Sequence, residues 1–118
     1  MKDNIIVTKS FDFAIKIVNL YKFLSEGKRE YVMSKQILKS GTSIGANVRE
    51  SQGAESKADF IHKLSIAQKE TDETSYWLEL LYKTEFISIE QYENLSSDSR
   101  ELRKIIASII LTTRKNSY

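Results

Sequence analysis

YVMSKQILKSGTSIGANVRESQG, residues Tyr31 to Gly53, has the composition of a loop at its centre and keeps helical time throughout. At 100° per residue, Met33, Ile44, Ile37, Val48, Gly41, Gly45 and Leu38 fall on one side, in that angular order. A glycine inside a helix costs about 1 kcal/mol relative to alanine. Two of them on the apolar side therefore point to a neighbouring helix that comes very close. The competing reading breaks Ser40–Asn47 into a Gly/Ser/Thr loop between two short helices. The expectation carried forward is one helix over residues 31 to 52.

On the N-terminal side, residues 1 to 7 mix Lys2, Asp3 and Asn4 with Ile5, Ile6 and Val7, which suits a short strand or an arm that docks an apolar end, and the expectation is an arm. Thr8 or Ser10 can cap a first helix, in which Phe13, Ile17, Leu20 and Leu24 recur at 4-3-4 spacing beside an adjoining stripe of Phe11, Ala14, Val18 and Tyr21. That helix ends near Ser25, and Glu26 to Glu30 form a turn. On the C-terminal side Gly53 is a natural stop, and Ser56-Lys57-Ala58-Asp59 resembles a capping box with Asp in the fourth place. The third helix runs from there to about Lys83, with Phe60, Leu64, Ala67, Thr71, Thr74, Leu78 and Leu81 as a strict 4-3 seam. Thr84 to Ile87 is the next turn. Ser88-Ile89-Glu90-Gln91 is a capping box, opening a helix with Tyr92, Leu95, Ser99, Leu102, Ile106, Ile109 and Thr113 on one face and a frayed end from Arg114. Four helices joined by short connections predict an all-α fold, an antiparallel up-down-up-down four-helix bundle with residues 1–118 as one domain.

Composition narrows the chemistry. Cysteine is absent, so disulfides and thiolate metal sites are excluded; proline is absent and glycine occurs four times in 118 residues, which suits long helices. The start lacks the apolar core of a signal peptide, and the longest apolar run, Ile105 to Leu111 interrupted by Ser108, is too short for a membrane span. The expectation is a cytoplasmic protein with no membrane partner. Net charge is only +2 but is unevenly placed. Residues 1–54 hold nine bases and five acids, residues 55–99 four and ten, and residues 100–118 five and one. Such asymmetry serves either a polyanion or head-to-tail attraction between copies of the chain.

Catalysis finds no foothold. A di-iron bundle needs two carboxylate-x-x-His pairs, and Asp59-x-x-His62 contains the chain's single histidine. Glu70, Asp72 and Glu73 read as a solvated charge run. Gly41 to Gly45 has no following Gly-Lys-Ser/Thr and is not a phosphate loop. No cofactor, metal or enzymatic activity is expected.

Two surfaces stand out. Lys35, Lys39, Thr42, Ala46 and Arg49 line the second helix opposite its glycines, a basic stripe that is either simply a solvated face or a track with room for a phosphate backbone. Between that stripe and the core lie Gln36, Ser43, Asn47 and Glu50, able to hydrogen-bond a neighbouring helix. On the third helix, Ile66, Trp77 and Leu80 sit roughly opposite the seam with Tyr76 beside them, so the helix is apolar on two sides. Either it is sandwiched within its own bundle or it meets another copy.

KSFDFAIKIV, SKQILKSGTSIGANVRES, KLSIAQKETDETSYWLELL and the closing IIASIILTTRKN resemble the small four-helix-bundle proteins encoded in intervening sequences of bacterial 23S ribosomal RNA genes. The most specific parts are Ser34-Lys35-Gln36 with Ser40 to Asn47, and Tyr76-Trp77-Leu78. The resemblance implies a continuous second helix and a homopentameric ring. A related branch includes the accessory variability protein of diversity-generating retroelements, a basic pentamer that binds RNA and a reverse transcriptase. The resulting expectation is a non-enzymatic oligomeric scaffold that binds RNA or other nucleic acid through Lys35, Lys39, Arg49, Arg114 and Lys115, with Ile66, Tyr76, Trp77 and Leu80 at the contact between copies. The alternative is a protein-interaction adaptor with a protein partner and no nucleic-acid role.

Overall fold

The computed structural model describes residues 4–116, which form four long helices and no strand. Helix α1 spans Ile5–Lys22 and passes into a π-type turn, Phe23–Gly27; α2 spans Met33–Gln52, α3 Lys57–Lys83 and α4 Ile89–Lys115. Each helix packs on its neighbours in sequence, and α1 meets α4 more lightly to close the square. Helices α2 and α4 therefore stand at opposite corners of a rod measuring 51 × 23 × 20 Å. Among the described residues no helix is long and apolar enough to cross a membrane.

The glycine segment is continuous helix, and the element it meets is α1. Gly41 and Gly45 are buried, and a Cβ at Gly41 would lie 2.7 Å from Cγ1 of Ile17. One at Gly45 would lie 3.1 Å from the carbonyl oxygen of Ser10. The absence of two side chains thus sets the α1–α2 distance. Ile17, Leu24, Ile37, Ile44, Leu64, Leu78, Leu81 and Ile106 fill the interior. A polar thread runs through it: Thr74 Oγ1 lies 3.0 Å from Ser40 Oγ, and Ser99 Oγ lies 3.4 Å from the Thr71 carbonyl. Among the described residues no buried side-chain polar atom lacks a partner.

The ends of the helices show how the chain turns. Ser88 caps α4 through the N–H of Gln91 while Gln91 Oε1 accepts from the N–H of Ser88, a complete capping box. Ser56 accepts from the Asp59 N–H, but Asp59 accepts from Glu55 rather than from Ser56, because its side chain is one carbon shorter than that of the usual Glu. Helix α3 ends in a Schellman motif: Phe86 N–H donates to Leu81 and Glu85 N–H to Tyr82, with Glu85 at φ 68° where glycine is usual.

Three expectations change. Ile5, Ile6 and Val7 belong to α1 rather than to an arm, with Ile6 in the core; Met1 to Asp3 lie outside the described residues. Neither Thr8 nor Ser10 is a cap: Ser10 is buried at the α1–α2 crossing and donates to the Val7 carbonyl at 3.3 Å. Arg114 and Lys115 are helical, not frayed, while Ser117 and Tyr118 lie outside the described residues.

Candidate functional site

Lys35, Lys39 and Arg49 are all exposed on the outer side of α2, with Arg49 one turn beyond Gly45 at the α1 edge rather than opposite the glycines. They are not equally free. The Arg49 guanidinium stacks over the Phe11 ring at 4.8 Å, and Lys39 attracts the Glu70 carboxylate across the α2–α3 seam. Burial, followed by repulsion from Glu73, raises the pKa of Glu70, and Lys39 only partly offsets this. Glu50, the acid on this side of α2, is held by Lys63 of α3 at 3.2 Å. Of the residues flanking the stripe, Ser43 and Asn47 hydrogen-bond their own helix rather than a neighbour. Each takes a backbone carbonyl one turn back as its acceptor.

Beside Arg49 the outer side of α2 is apolar. Phe11, Ala14, Thr42, Gly45, Ala46 and Arg49 line a groove of about 280 Å³ between α1 and α2. Phe11 and Ile15, one turn apart on α1, are 49% and 48% exposed. Sequence periodicity missed this patch, because α1 is apolar over so wide an arc that the exposed part of the arc cannot be told from the buried part.

Helix α4 segregates its charge. Two of its four acids, Asp98 and Glu101, turn toward α1 and pair with Lys16 at 2.7 Å and Lys9 at 3.2 Å; Glu90 and Glu93, in the first two turns, are exposed. Arg103 reaches Asp72 of α3 at 2.8 Å. Arg100, Lys104, Arg114 and Lys115 are exposed, and none makes an ion pair among the described residues. Arg100, Lys104, Leu111 and Lys115 share one outward stripe. Arg100 and Lys104 escaped the sequence reading, although the basic balance after residue 99 was their signal. The bases of α2 and those of α4 lie on diagonal helices and do not share one face of a protomer.

The four residues on α3 divide. Trp77 is half-buried against the core and its indole N–H donates to Glu73 Oε2 at 3.2 Å; Ile66 and Leu80 are half-buried. Tyr76 projects, 58% exposed, edge-on to the Trp77 ring. His62 is exposed, and no three metal-binding side chains cluster among the described residues.

The profile of the 23S rRNA-intervening sequence proteins matches residues 2–108. The chain belongs to that family. It is 62% identical to a protein of unknown function from the S23 ribosomal protein family of Bacteroides thetaiotaomicron VPI-5482. The crystal structure of that protein superposes with a TM-score of 0.91, over 93% of this chain and 98% of that one. No curated protein matches the chain. Membership in the 23S rRNA-intervening sequence family indicates no enzymatic class.

Proposed function

We propose that this family member is a non-enzymatic, cytoplasmic scaffold that assembles from several copies, a pentamer by resemblance, and holds a polyanion, RNA or DNA, along its basic surfaces. The observation that carries the reading is the basic stripe on α4: Asp98 and Glu101 are spent on α1, and the helix's other acids, Glu90 and Glu93, lie in its first two turns, leaving Arg100, Lys104, Arg114 and Lys115 facing outward without ion-pair partners among the described residues. From Arg100 to Lys115 the stripe runs about 22 Å at 1.5 Å rise per residue, long enough to follow several phosphates of a single strand. Lys35, at the far end of α2, adds a further exposed base. Phosphate contacts position without specifying sequence, so binding is indifferent to sequence and steeply salt-dependent, with a slope of roughly −0.7 per neutralised phosphate on a single strand. Repetition of the stripe around an assembly turns weak contacts into avidity.

A second reading is favoured by Phe11, Ile15 and Tyr76, apolar residues left exposed beside charged ones: a surface that meets protein. Lys39 and Arg49 border such a patch and serve either role. Binding of a fluorescent single-stranded RNA, titrated from about 50 mM salt upward, separates the two. Changing Arg100, Lys104, Arg114 and Lys115 to Gln should flatten the salt slope by roughly 0.7 for each phosphate that is no longer neutralised, with helicity intact. Changing Lys35, Lys39 and Arg49 to Gln should flatten it less. No measurable affinity for RNA or DNA at low salt would leave the adaptor reading in its place.

A further inference from the structure

Helix α3 carries a projecting aromatic residue between carboxylates, and the α1–α2 face carries an open groove between bases. Glu70 to Tyr82 contains four acids and no base, with Lys69 and Lys83 two turns to either side of Tyr76. Within it Glu73 and Glu79 lie three residues before and after Tyr76, so both carboxylates are its neighbours on the helix surface. Neither is in an ion pair among the described residues. On the other face, Thr42 and Ala46 form the floor of the 280 Å³ groove. Lys39 lies three residues before this pair and Arg49 three after it. The α2 acid nearest this floor, Glu50, is occupied by Lys63. The groove is shallow and apolar because residue 45 is glycine and residue 46 only alanine, while Phe11, propped by Arg49, forms one wall.

The two faces are complementary in shape, polarity and charge, and they lie on different parts of the same molecule. We infer that the partner of the α1–α2 groove is a second copy of this chain, whose Tyr76 enters between Phe11 and Ala46 while its Glu73 and Glu79 meet Lys39 and Arg49. The contact is heterologous: each protomer offers the projection to one neighbour and the groove to the other, so assembly proceeds head to tail and stops only where the rotation closes a ring. A self-complementary dimer centred on either face alone would instead bring the carboxylates beside Tyr76 together, or the bases beside the groove. The inference rests on the assembly part of the proposed function and gives it a surface. It also reassigns Lys39 and Arg49 from phosphate to carboxylate and leaves α4 as the outward basic track.

The test uses two variants at exposed positions, Tyr76→Lys to remove the projection and Ala46→Glu to block and recharge the groove, with helicity checked by circular dichroism. Light scattering should find the wild type assembled and each variant at the 13.6 kDa chain mass. An equimolar mixture of the two should reassemble to at least twice that mass, since the intact groove of the Tyr76→Lys chain still receives the intact Tyr76 of the other. Assembly that survives either substitution, or a mixture that stays monomeric, overturns this contact while leaving the scaffold reading in place. A wild type that is monomeric across micromolar concentrations overturns both.

Discussion

A methyl group at Gly41 would press on the side chain of Ile17, with all three of its nearest atoms within 3.0 Å. Ile17 is β-branched and wholly enclosed, so it has few rotamers to yield into. Overpacking costs about 1–3 kcal/mol, against roughly 1 kcal/mol regained by replacing an interior helix glycine. Gly41→Ala should therefore destabilise the protein by on the order of 1 kcal/mol in urea unfolding. Gly45 faces backbone first, the Ser10 carbonyl oxygen at 3.1 Å, with the Ser10 hydroxyl beyond it at 3.5 Å. Gly45→Leu must push α1 bodily away and should cost several kcal/mol, whereas a neutral result would mean that α1 can shift freely. These two positions were legible in the sequence because a glycine on an apolar helical face has little other physical use. Which helix they faced was not legible, since Ser10 read as a cap and not as the small residue that completes the crossing.

Helix α2 begins where a carboxylate, not a Ser or Asp, receives its free amides. Glu30 accepts from the N–H groups of Val32, Met33 and Ser34 at 3.1, 3.0 and 2.7 Å. Burial alone would raise its pKa, but these hydrogen bonds outweigh burial and hold it below the ordinary carboxylate range. A depressed pKa places the stabilisation above the unfolded-state value, near pH 4, and removes it as pH falls through the folded-state value. Glu30→Gln should thus cost about 0.5–2 kcal/mol at neutral pH, the usual worth of a helix cap, and the difference from wild type should vanish in acid. A difference that persists unchanged down to pH 3 would show that the carboxylate charge contributes nothing. The sequence placed Glu30 in the turn but could not reveal its reach, because a glutamate upstream of a helix has no fixed register as Ser88 has three residues before Gln91. The arm read over residues 1–7 failed at Ile5 to Val7 for the converse reason: Asn4 starts α1 with no side-chain cap, so the start carries no local mark.

In the molecule as a whole, the four-helix architecture followed from periodicity, but the surfaces depended on pairings remote in sequence. That Arg103 is neutralised while Arg100 and Lys104 are not depends on Asp72 and on the turn of Asp98 and Glu101 toward α1, which a count of charges along α4 cannot contain. The same seam has a kinetic consequence. Three of the four helix–helix packings join elements adjacent in the chain, so the bundle can grow hairpin by hairpin with little loop entropy to overcome, the topology of microsecond-to-millisecond folders. Only the α1–α4 closure spans nearly the whole chain, and it is sealed by the exposed pairs Lys9–Glu101 and Lys16–Asp98 above Phe13 and Leu102. Exposed ion pairs weaken with salt. Native-state hydrogen exchange should therefore find the amides of α4 released by partial opening, at a lower free energy than those of α2, with the gap widening as salt rises. Uniform protection across all four helices would mean that the bundle comes apart only as one unit; otherwise α4 is the stave that lifts first.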